Sequence, residues 1–431
     1  MSSRVAAALW ATGASVAAPA LRLWLHRRLT HGKERRGRLD ERRGIDPTPR
    51  PPGRLLWLHA ASVGETVAVL PLLTALGRKD AALHFLVTTG TVTSAALLQE
   101  RLSGLDLGFR ARHRFVPLDV PRWVGRFLEH WQPDCGVLVE SELWPNLIAA
   151  AQARKIPLAL VNGRLSAKSC ARWRWLAPGL ARRMLGSFSM IAARSEPDAK
   201  RFAALGARRV ETPGDLKLAA LPLPANDAEL DRLSAIIGDR PRWLAASTHP
   251  GEEAISAAVH RRLAPEFTGL VTIIAPRHPQ RGREVAAAIR DSRPKRRALG
   301  EDPPPGGIWI ADTLGELGLL YRLAPVTFIG KSLTRHGGQN PLEAARLGAA
   351  IACGPHTENF ATIAVLLEKA GGLVRVSDED GLVRWVRGML RDPPAAHAMG
   401  ATALAATAAN DALPEQLAAS LLALMGRPGN P

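Results

Sequence analysis

The alternation of apolar runs with helical patterns constrains this chain most. Short runs of strand character stand at Leu55–His59, His84–Thr88, Gly136–Val139, Leu158–Val161 and Met190–Ala193. Helical stretches such as Thr66–Leu76, Val92–Leu102 and Leu147–Arg154 follow several of them. Strands that are apolar along their length bury both faces, as parallel βαβ units require. A second series runs Trp243–Ala246, Leu270–Ala275, Ile308–Ala311, Val326–Ile329 and Ala350–Cys353. Between the two lies the hinge-like stretch Leu221-Pro222-Leu223-Pro224-Ala225-Asn226. The pattern predicts an α/β protein with two doubly wound Rossmann-like domains, residues 31–220 and 221–405, flanked by an N-terminal segment 1–30 and a C-terminal helical segment 406–431. The length of 431 residues suits two cores of ordinary size.

The N-terminal segment has its own character. Val5 to Leu21 carries no charge, and apart from Arg22 the apolar run continues to Leu25. Arg27, Arg28, Lys33, Arg35, Arg36, Arg38, Arg42 and Arg43 follow, opposed only by Glu34, Asp40 and Glu41. Crossing hydrocarbon takes about 20 apolar residues, and this stretch is Ala-rich, with Gly13 and Pro19 inside it. It is read as a membrane-anchor helix, spanning or half-inserted. A surface-lying helix and a leader cleaved near Ala18 are the other forms such a pattern takes. The basic cluster directly behind it favours retention, with the body on the cytoplasmic side. Over the whole chain, 57 Lys and Arg against 39 Asp and Glu give a net charge of +18. The partner is therefore expected to be anionic: nucleic acid, an acidic membrane surface, or a phosphorylated or carboxylated substrate. Cys135, Cys170 and Cys353 are far apart, without metal-type spacing, which suggests buried thiols in a reducing compartment.

Candidate chemistry gathers where strands end, because ligands of open α/β sheets sit at those ends. In Leu56-Trp57-Leu58-His59-Ala60-Ala61-Ser62-Val63-Gly64-Glu65 a strand gives way to small residues and a helix-opening carboxylate. Glu65 fits a general base, and equally a residue that satisfies the helix N-terminal dipole. Val139-Glu140-Ser141-Glu142-Leu143-Trp144-Pro145-Asn146 puts two acids at a strand end, which is costly unless they meet a cation or a proton. Asp215-Leu216-Lys217 closes the first domain, and Lys217 is suited to an anion. In the second half, Arg335-His336-Gly337-Gly338-Gln339-Asn340-Pro341-Leu342-Glu343-Ala344-Ala345 follows a strand. Its glycines would let backbone N–H groups approach a phosphate at a helix opened by Pro341, with Glu343 accepting from ribose hydroxyls. Ala275-Pro276-Arg277-His278-Pro279, Ser247-Thr248-His249-Pro250-Gly251-Glu252-Glu253 and Asp312-Thr313-Leu314-Gly315-Glu316 are further strand exits, suited to ligand contact or to capping. Arg172, Trp173, Arg174 and Trp175 alternate, as on a surface that meets headgroups or an anionic acceptor. His59, His249, His278, His336 and His356 sit near strand exits without metal spacing and read as supporting or capping groups.

With these strings assembled, the chain resembles the bacterial 3-deoxy-D-manno-octulosonic acid (Kdo) transferases, membrane-associated GT-B enzymes of lipopolysaccharide synthesis. The resemblance runs from the basic Arg35–Gly44 stretch to about Val376. It rests on Ala61-Ser62-Val63-Gly64-Glu65, Glu140-Ser141-Glu142-Leu143-Trp144-Pro145-Asn146, Asn162-Gly163-Arg164-Leu165-Ser166, Ser247-Thr248-His249, Pro276-Arg277-His278-Pro279 and Asn340-Pro341-Leu342-Glu343-Ala344-Ala345, in that order. It implies two domains facing a central cleft, CMP-Kdo as donor, a lipid A precursor (lipid IVA) as acceptor and inversion at the anomeric carbon. It further implies Glu65 as the base, with Glu140 and Lys217 steadying the transition state. Contacts to the CMP-Kdo donor fall on Pro276, Arg277, Leu314, Gly315, Glu316, Asn340, Pro341, Leu342 and Glu343. No metal or other cofactor is expected, and the place of action is the cytoplasmic face of the inner membrane. Lys331 departs from the resemblance, standing where a Gly is common, and Gly163 stands where Ala is commoner. Another GT-B nucleotide-sugar transferase with a lipid-linked acceptor is the same-fold alternative, and a non-catalytic anionic-lipid-binding module the alternative of another class. No nucleic-acid motif supports nucleic acid as the partner.

Overall fold

The computed structural model describes residues 3–103, 107–219, 221–334 and 337–426. Arg335 and His336 of the Gly-Gly string, and Ala220 at the end of the first predicted domain, lie outside the described residues. The chain forms two compact units, residues 1–220 with 410–431, and residues 221–409.

In the first unit, helix α1 (Ser3–Thr30) precedes a regular alternation: β1 (Leu55–Ala60), α2 (Val63–Lys79), β2 (His84–Thr89), α3 (Val92–Ser103), β3 (Ala111–Phe115), α4 (Pro121–Trp131), β4 (Cys135–Val139), α5 (Pro145–Ala153) and β5 (Leu158–Gly163). Then come α6 (Ala167–Leu176), α7 (Pro178–Leu185), β6 (Phe188–Ala193), α8 (Glu196–Ala204) and β7 (Val210–Glu211). The seven strands form one parallel sheet in the order β3-β2-β1-β4-β5-β6-β7. Each central strand supplies both cores. In β1, Leu56, Leu58 and Ala60 face a layer completed by α2, whereas Leu55 and Trp57 face α4 and α5. Trp57 stacks edge-on against Phe127, with ring centroids 5.2 Å apart.

The second unit repeats the plan with α9 (Asp227–Ile237), β8 (Arg242–Thr248), α10 (Glu252–Leu263), β9 (Val271–Pro276), α11 (Gly282–Ala288), β10 (Lys295–Arg296), β11 (Gly307–Ile310), α12 (Leu317–Leu323) and β12 (Val326–Ile329). It closes with α13 (Leu342–Ala345), β13 (Ala350–Cys353), α14 (Ala361–Ala370), β14 (Leu373–Arg375), α15 (Glu379–Arg391) and α16 (Pro393–Ala408). Its sheet is again parallel and seven-stranded, in the order β10-β11-β9-β8-β12-β13-β14. The last helix, α17 (Leu413–Met425), belongs to the first unit. It packs on α2 through Leu413, Leu417, Ala418 and Leu421, and Glu415 pairs with Arg78 and Lys79.

Helix α1 lies along α4, α5 and α7 of its own unit, burying Ala6 and Leu25. Trp10 donates its indole N–H to Asp119 (3.2 Å), which also accepts the Asn146 and Leu147 N–H groups that open α5. No helix among the described residues is long and apolar enough to cross a membrane. The expected anchor is therefore not confirmed by the helices present. The reason is compositional: alanines fill much of the uncharged stretch, and each brings little apolar surface.

Candidate active site

In the first sheet the strand order reverses between β1 and β4, and ligands of doubly wound sheets bind beyond the carboxyl ends there. The β1–α2 turn is exposed from Ser62 to Gly64, whereas Glu65 behind it is buried. Ser62 caps α2: its Oγ accepts the Glu65 N–H and donates to Oε1 of Glu65 (2.7 Å), while Oε2 accepts the Ala61 N–H (2.8 Å). This is a variant of the capping box, with Glu65 reaching back to the N–H before the cap, so Glu65 does close the helix end. Each carboxylate oxygen nevertheless keeps a second lone pair. Burial raises the Glu65 pKa and the charges of Glu142 and Glu140 add to it, against the Ser62 and Ala61 hydrogen bonds. Desolvation outweighs the favourable donors at this helix-start carboxylate. A raised value makes a stronger base for proton abstraction once ionised.

Glu140 and Glu142 have separate partners. Glu142 meets Nε2 of His59 (3.2 Å) and the Trp144 indole N–H (2.5 Å). Burial opposes its charge, but these two donors hold the carboxyl below the usual range. His59 is itself fully buried, with Nδ1 3.1 Å from both oxygens of Thr88. Glu140 is ion-paired with Lys217. The site thus contains one carboxylate neutralised by a lysine, one tied to a histidine, and one, Glu65, with only neutral donors.

Lys217 is positioned by Asn162, Asp215 and Asn410, of which no sequence pattern flagged the last. Asn162 accepts the Leu216 N–H (2.8 Å), Asn410 accepts the Asp215 N–H (3.1 Å), and Asp215 accepts the Lys217 N–H (2.9 Å). Asn410 is far away in the chain, so only the fold could reveal its part. Asn162 is buried, and its Nδ2 has no hydrogen-bond partner among the described residues. Glu140 and Asn162 adopt left-handed backbone at adjacent strand ends, with φ of 56° and 53°. Such conformations cost about 1–3 kcal/mol for residues with a side chain and collect at functional sites.

The second unit shows the same signature where its strand order reverses, between β8 and β12. Ser247, one residue before the end of β8, has φ of 55°, and Lys331 follows β12 with φ of 60°. Lys331 thus occupies a conformation that glycine adopts freely, which accounts for its being the departure noted above. The loop behind it is clamped by Glu252. That fully buried carboxylate accepts the N–H groups of Lys331 (2.5 Å) and His249 (3.0 Å) at Oε2, and of Ser332 (2.9 Å) and Leu333 (3.0 Å) at Oε1. Glu253 beside it pairs with Arg281 (2.8 Å).

The predicted nucleotide residues are distributed around these loops. Pro276 ends β9 and Arg277 follows it, exposed, its backbone N–H bonded to the Thr248 carbonyl (3.0 Å). Buried Tyr321 is pushed well above the usual phenol value, by burial first and then by Glu343 and Cys353, with Arg277 opposing. Leu314 and Gly315 are exposed before α12. The Glu316 carboxylate is held by Arg297 (2.6 and 2.5 Å) and Thr313, and Arg297 keeps it below the usual range. Asn340 accepts the Leu342 N–H (3.1 Å), and Pro341 stands just outside α13, a single turn. In the Gly337–Gly338 turn, the Gly338 N–H donates to the Lys331 carbonyl (2.7 Å) and the Gln339 N–H to the Gly330 carbonyl (3.2 Å), so these two amides shape the turn. The glycines are needed for room: both have positive φ, and a Cβ on Gly338 would stand 2.9 Å from the His356 carbonyl.

A family profile described as 3-Deoxy-D-manno-octulosonic-acid transferase (kdotransferase) matches residues 33–220. The chain is 35% identical over 376 residues to the 3-deoxy-D-manno-octulosonic acid transferase of Haemophilus influenzae, covering 85% of this chain and 86% of that one. It is 34% identical over 412 residues to the enzyme of the same name from Bordetella pertussis, covering 91% and 93%. A probable mitochondrial 3-deoxy-D-manno-octulosonic acid transferase of Arabidopsis thaliana is 35% identical over 367 residues, with 82% and 81% covered. Among solved structures, UDP-GlcNAc 2-epimerase from Neisseria meningitidis is similar at 14% identity, with a TM-score of 0.56 and coverage of 85% and 100%. A glycosyltransferase from Rickettsia africae is similar at 10% identity, with a TM-score of 0.55 and coverage of 87% and 98%. At such low identity these two likenesses speak for the fold alone, an α/β architecture consistent with GT-B.

Proposed function

Since the chain belongs to the family of 3-deoxy-D-manno-octulosonic acid (Kdo) transferases, and is therefore a glycosyltransferase, we propose that it moves Kdo from CMP-Kdo to a lipid A precursor with inversion at the anomeric carbon. The observation that carries the site assignment is Glu65: a buried carboxylate with neutral donors, a raised pKa, and an exposed turn in front of it. In this reading Glu65 takes the proton of the acceptor hydroxyl as that oxygen attacks the anomeric carbon. One base is enough for an inverting transfer, and such help is worth about 10²–10⁴ in rate. The Lys217–Glu140 pair offers a fixed cation for the carboxylate that Kdo carries beside its anomeric carbon. The departing CMP takes the bonding electron pair, and the exposed guanidinium of Arg277 is the group assigned to its phosphate. Glu343, the backbone of 314–316 and the Asn340 turn are assigned to the rest of the nucleotide. No step requires a metal.

The acceptor side of the reading places the first unit on the cytoplasmic face of a bacterial inner membrane. Val5, Leu9, Val16 and Leu23 recur at helical spacing and form one exposed apolar stripe along α1, with Val16 76% exposed. Trp175 and Leu176 on α6 are likewise exposed, beside Arg172 and Arg174. Apolar side chains rimmed by arginine suit an anionic interface. The test is direct: incubate the purified chain with CMP-Kdo and a tetra-acylated lipid A precursor, then weigh the products. One or more added Kdo masses are expected. Transfer from a UDP-sugar with none from CMP-Kdo would overturn the donor assignment.

A further inference from the structure

The cavity between α1 and the segment 36–43 has no part in the chemistry above. It measures about 310 Å³ and is lined by Arg22, Leu25, His26, Arg36, Gly37, Leu39, Asp40 and Arg43. Four of these are basic or can become so, against one acid. Asp40 is already taken by Arg43. Arg22 and Arg36 have no acidic partner among the described residues, although their neighbours do: Arg28 and Arg42 pair with Glu34, and Arg38 with Glu41. His26 directs Nδ1 to the Arg22 carbonyl (3.0 Å), which leaves Nε2 for another group. More positive charge stands close by. Arg126 is held below the usual guanidinium value by partial burial and by Arg122, Arg22 and Arg43. Like charges kept together at a cavity without counter-charge leave a site that an anion would complete.

We propose that this cavity binds the phosphate of an anionic phospholipid headgroup. Guanidinium forks match phosphate oxygens two at a time, and two unpaired forks facing one cavity suit a tetrahedral anion better than a planar carboxylate. The volume is at the small end of ligand sites, large enough for a phosphate and the polar part of a headgroup. The lipid source follows from position. Arg22 and His26 are carried by α1, where Leu23, next to Arg22, belongs to the exposed apolar stripe. A helix lying in the interface would hold the cavity at the depth of the phosphates. For that source the proposal rests on the membrane reading of α1; for its chemistry it does not.

The test uses the full chain and monomeric dihexanoyl phosphatidylglycerol, titrated by calorimetry, with inorganic phosphate as a second probe. The wild type is expected to bind the lipid monomer saturably. Arg22→Gln with Arg36→Gln should weaken that binding at least about tenfold. Arg208→Gln with Arg209→Gln, an equal charge loss at exposed positions before β7, should change it less than about twofold. Equal losses in both pairs, no saturable binding by the wild type, or inorganic phosphate binding as tightly as the lipid would each overturn the proposal. Vesicles of phosphatidylcholine with phosphatidylglycerol separate the two readings. Leu9→Asp with Val16→Asp should abolish vesicle binding and spare the monomer. Unchanged vesicle binding would sink the membrane reading while the phosphate cavity stood.

Discussion

Replacing Glu252 tests how the second unit holds its loops. Its carboxylate accepts four backbone N–H groups, from His249, Lys331, Ser332 and Leu333, and none of its side chain reaches solvent. Each N–H left without a partner in such a place costs about 1–3 kcal/mol. The sum for all four exceeds what a variant would lose, because water enters the space left by truncation. Glu252→Ala is therefore expected to lose about 3–5 kcal/mol, the cost of several unmet buried N–H groups reduced by the water that enters. Glu252→Gln is the sharper probe. Its single carbonyl can serve Ser332 and Leu333 while its amino group faces the His249 and Lys331 donors, for a cost of about 2–3 kcal/mol. Hydrogen exchange read by NMR at Lys331, Ser332 and Leu333 reports the loss locally, so the result does not depend on two-state unfolding of a two-unit chain. Protection at Lys331 should fall by about 30-fold or more in Glu252→Gln, the equivalent of 2 kcal/mol. Unchanged protection there would refute the clamp.

Other outcomes follow from the same geometry. Glu65→Gln should cost about 10²–10⁴ in transfer rate but only about 1 kcal/mol in stability, since one of the two capping contacts can persist; full activity would remove Glu65 as the base. Because burial raises the pKa of Glu65, the acid limb of the rate profile should lie above the ordinary glutamate value, and an inflection at or below that value would contradict it. His113 is half-buried among Arg38, Arg114, Arg35 and Arg42, and desolvation with their charge brings its pKa down to about 3. The unfolded chain takes up that proton near pH 6.5 and the folded one does not, so stability should fall as pH drops from there toward 3. His113→Gln should flatten this dependence in urea unfolding at pH 7 and pH 5, and an unchanged slope would reject it. Lys331→Gly should stabilise by up to about 1 kcal/mol, since relief of left-handed strain outweighs the freedom glycine gains when unfolded; a loss in the unfolding midpoint would assign the lysine side chain a structural role.

The interior strands are plain in the sequence because both of their faces are apolar. Val326–Ile329 and Ala350–Cys353 have the predicted bounds, and Leu55–Ala60 extends the prediction by one residue. The outer strands are not. Ala111–Phe115 reads Ala-Arg-His-Arg-Phe, and Lys295–Arg296 has no apolar residue at all, because strands near a sheet edge are shaped by their neighbours more than by a core. At the site, sequence locates Glu65 and Glu140 at strand ends and Lys217 at the close of the first domain, and the structure adds which carboxylate meets which cation. The Glu142–His59 contact and the Asn410 support of Lys217 join residues distant in the chain, so no local pattern announces them. For Gly337 and Gly338, composition reveals that a tight turn is needed, not where its N–H groups point.

The position of α17 has a consequence for biosynthesis. The ribosome must make all of the second unit before it reaches the residues that cover α2. Until then the face of α2 that α17 covers in the finished molecule meets water or a chaperone. Fusions or truncations near Leu413–Met425 therefore strike the earliest-made part of the molecule, although they alter its latest-made end.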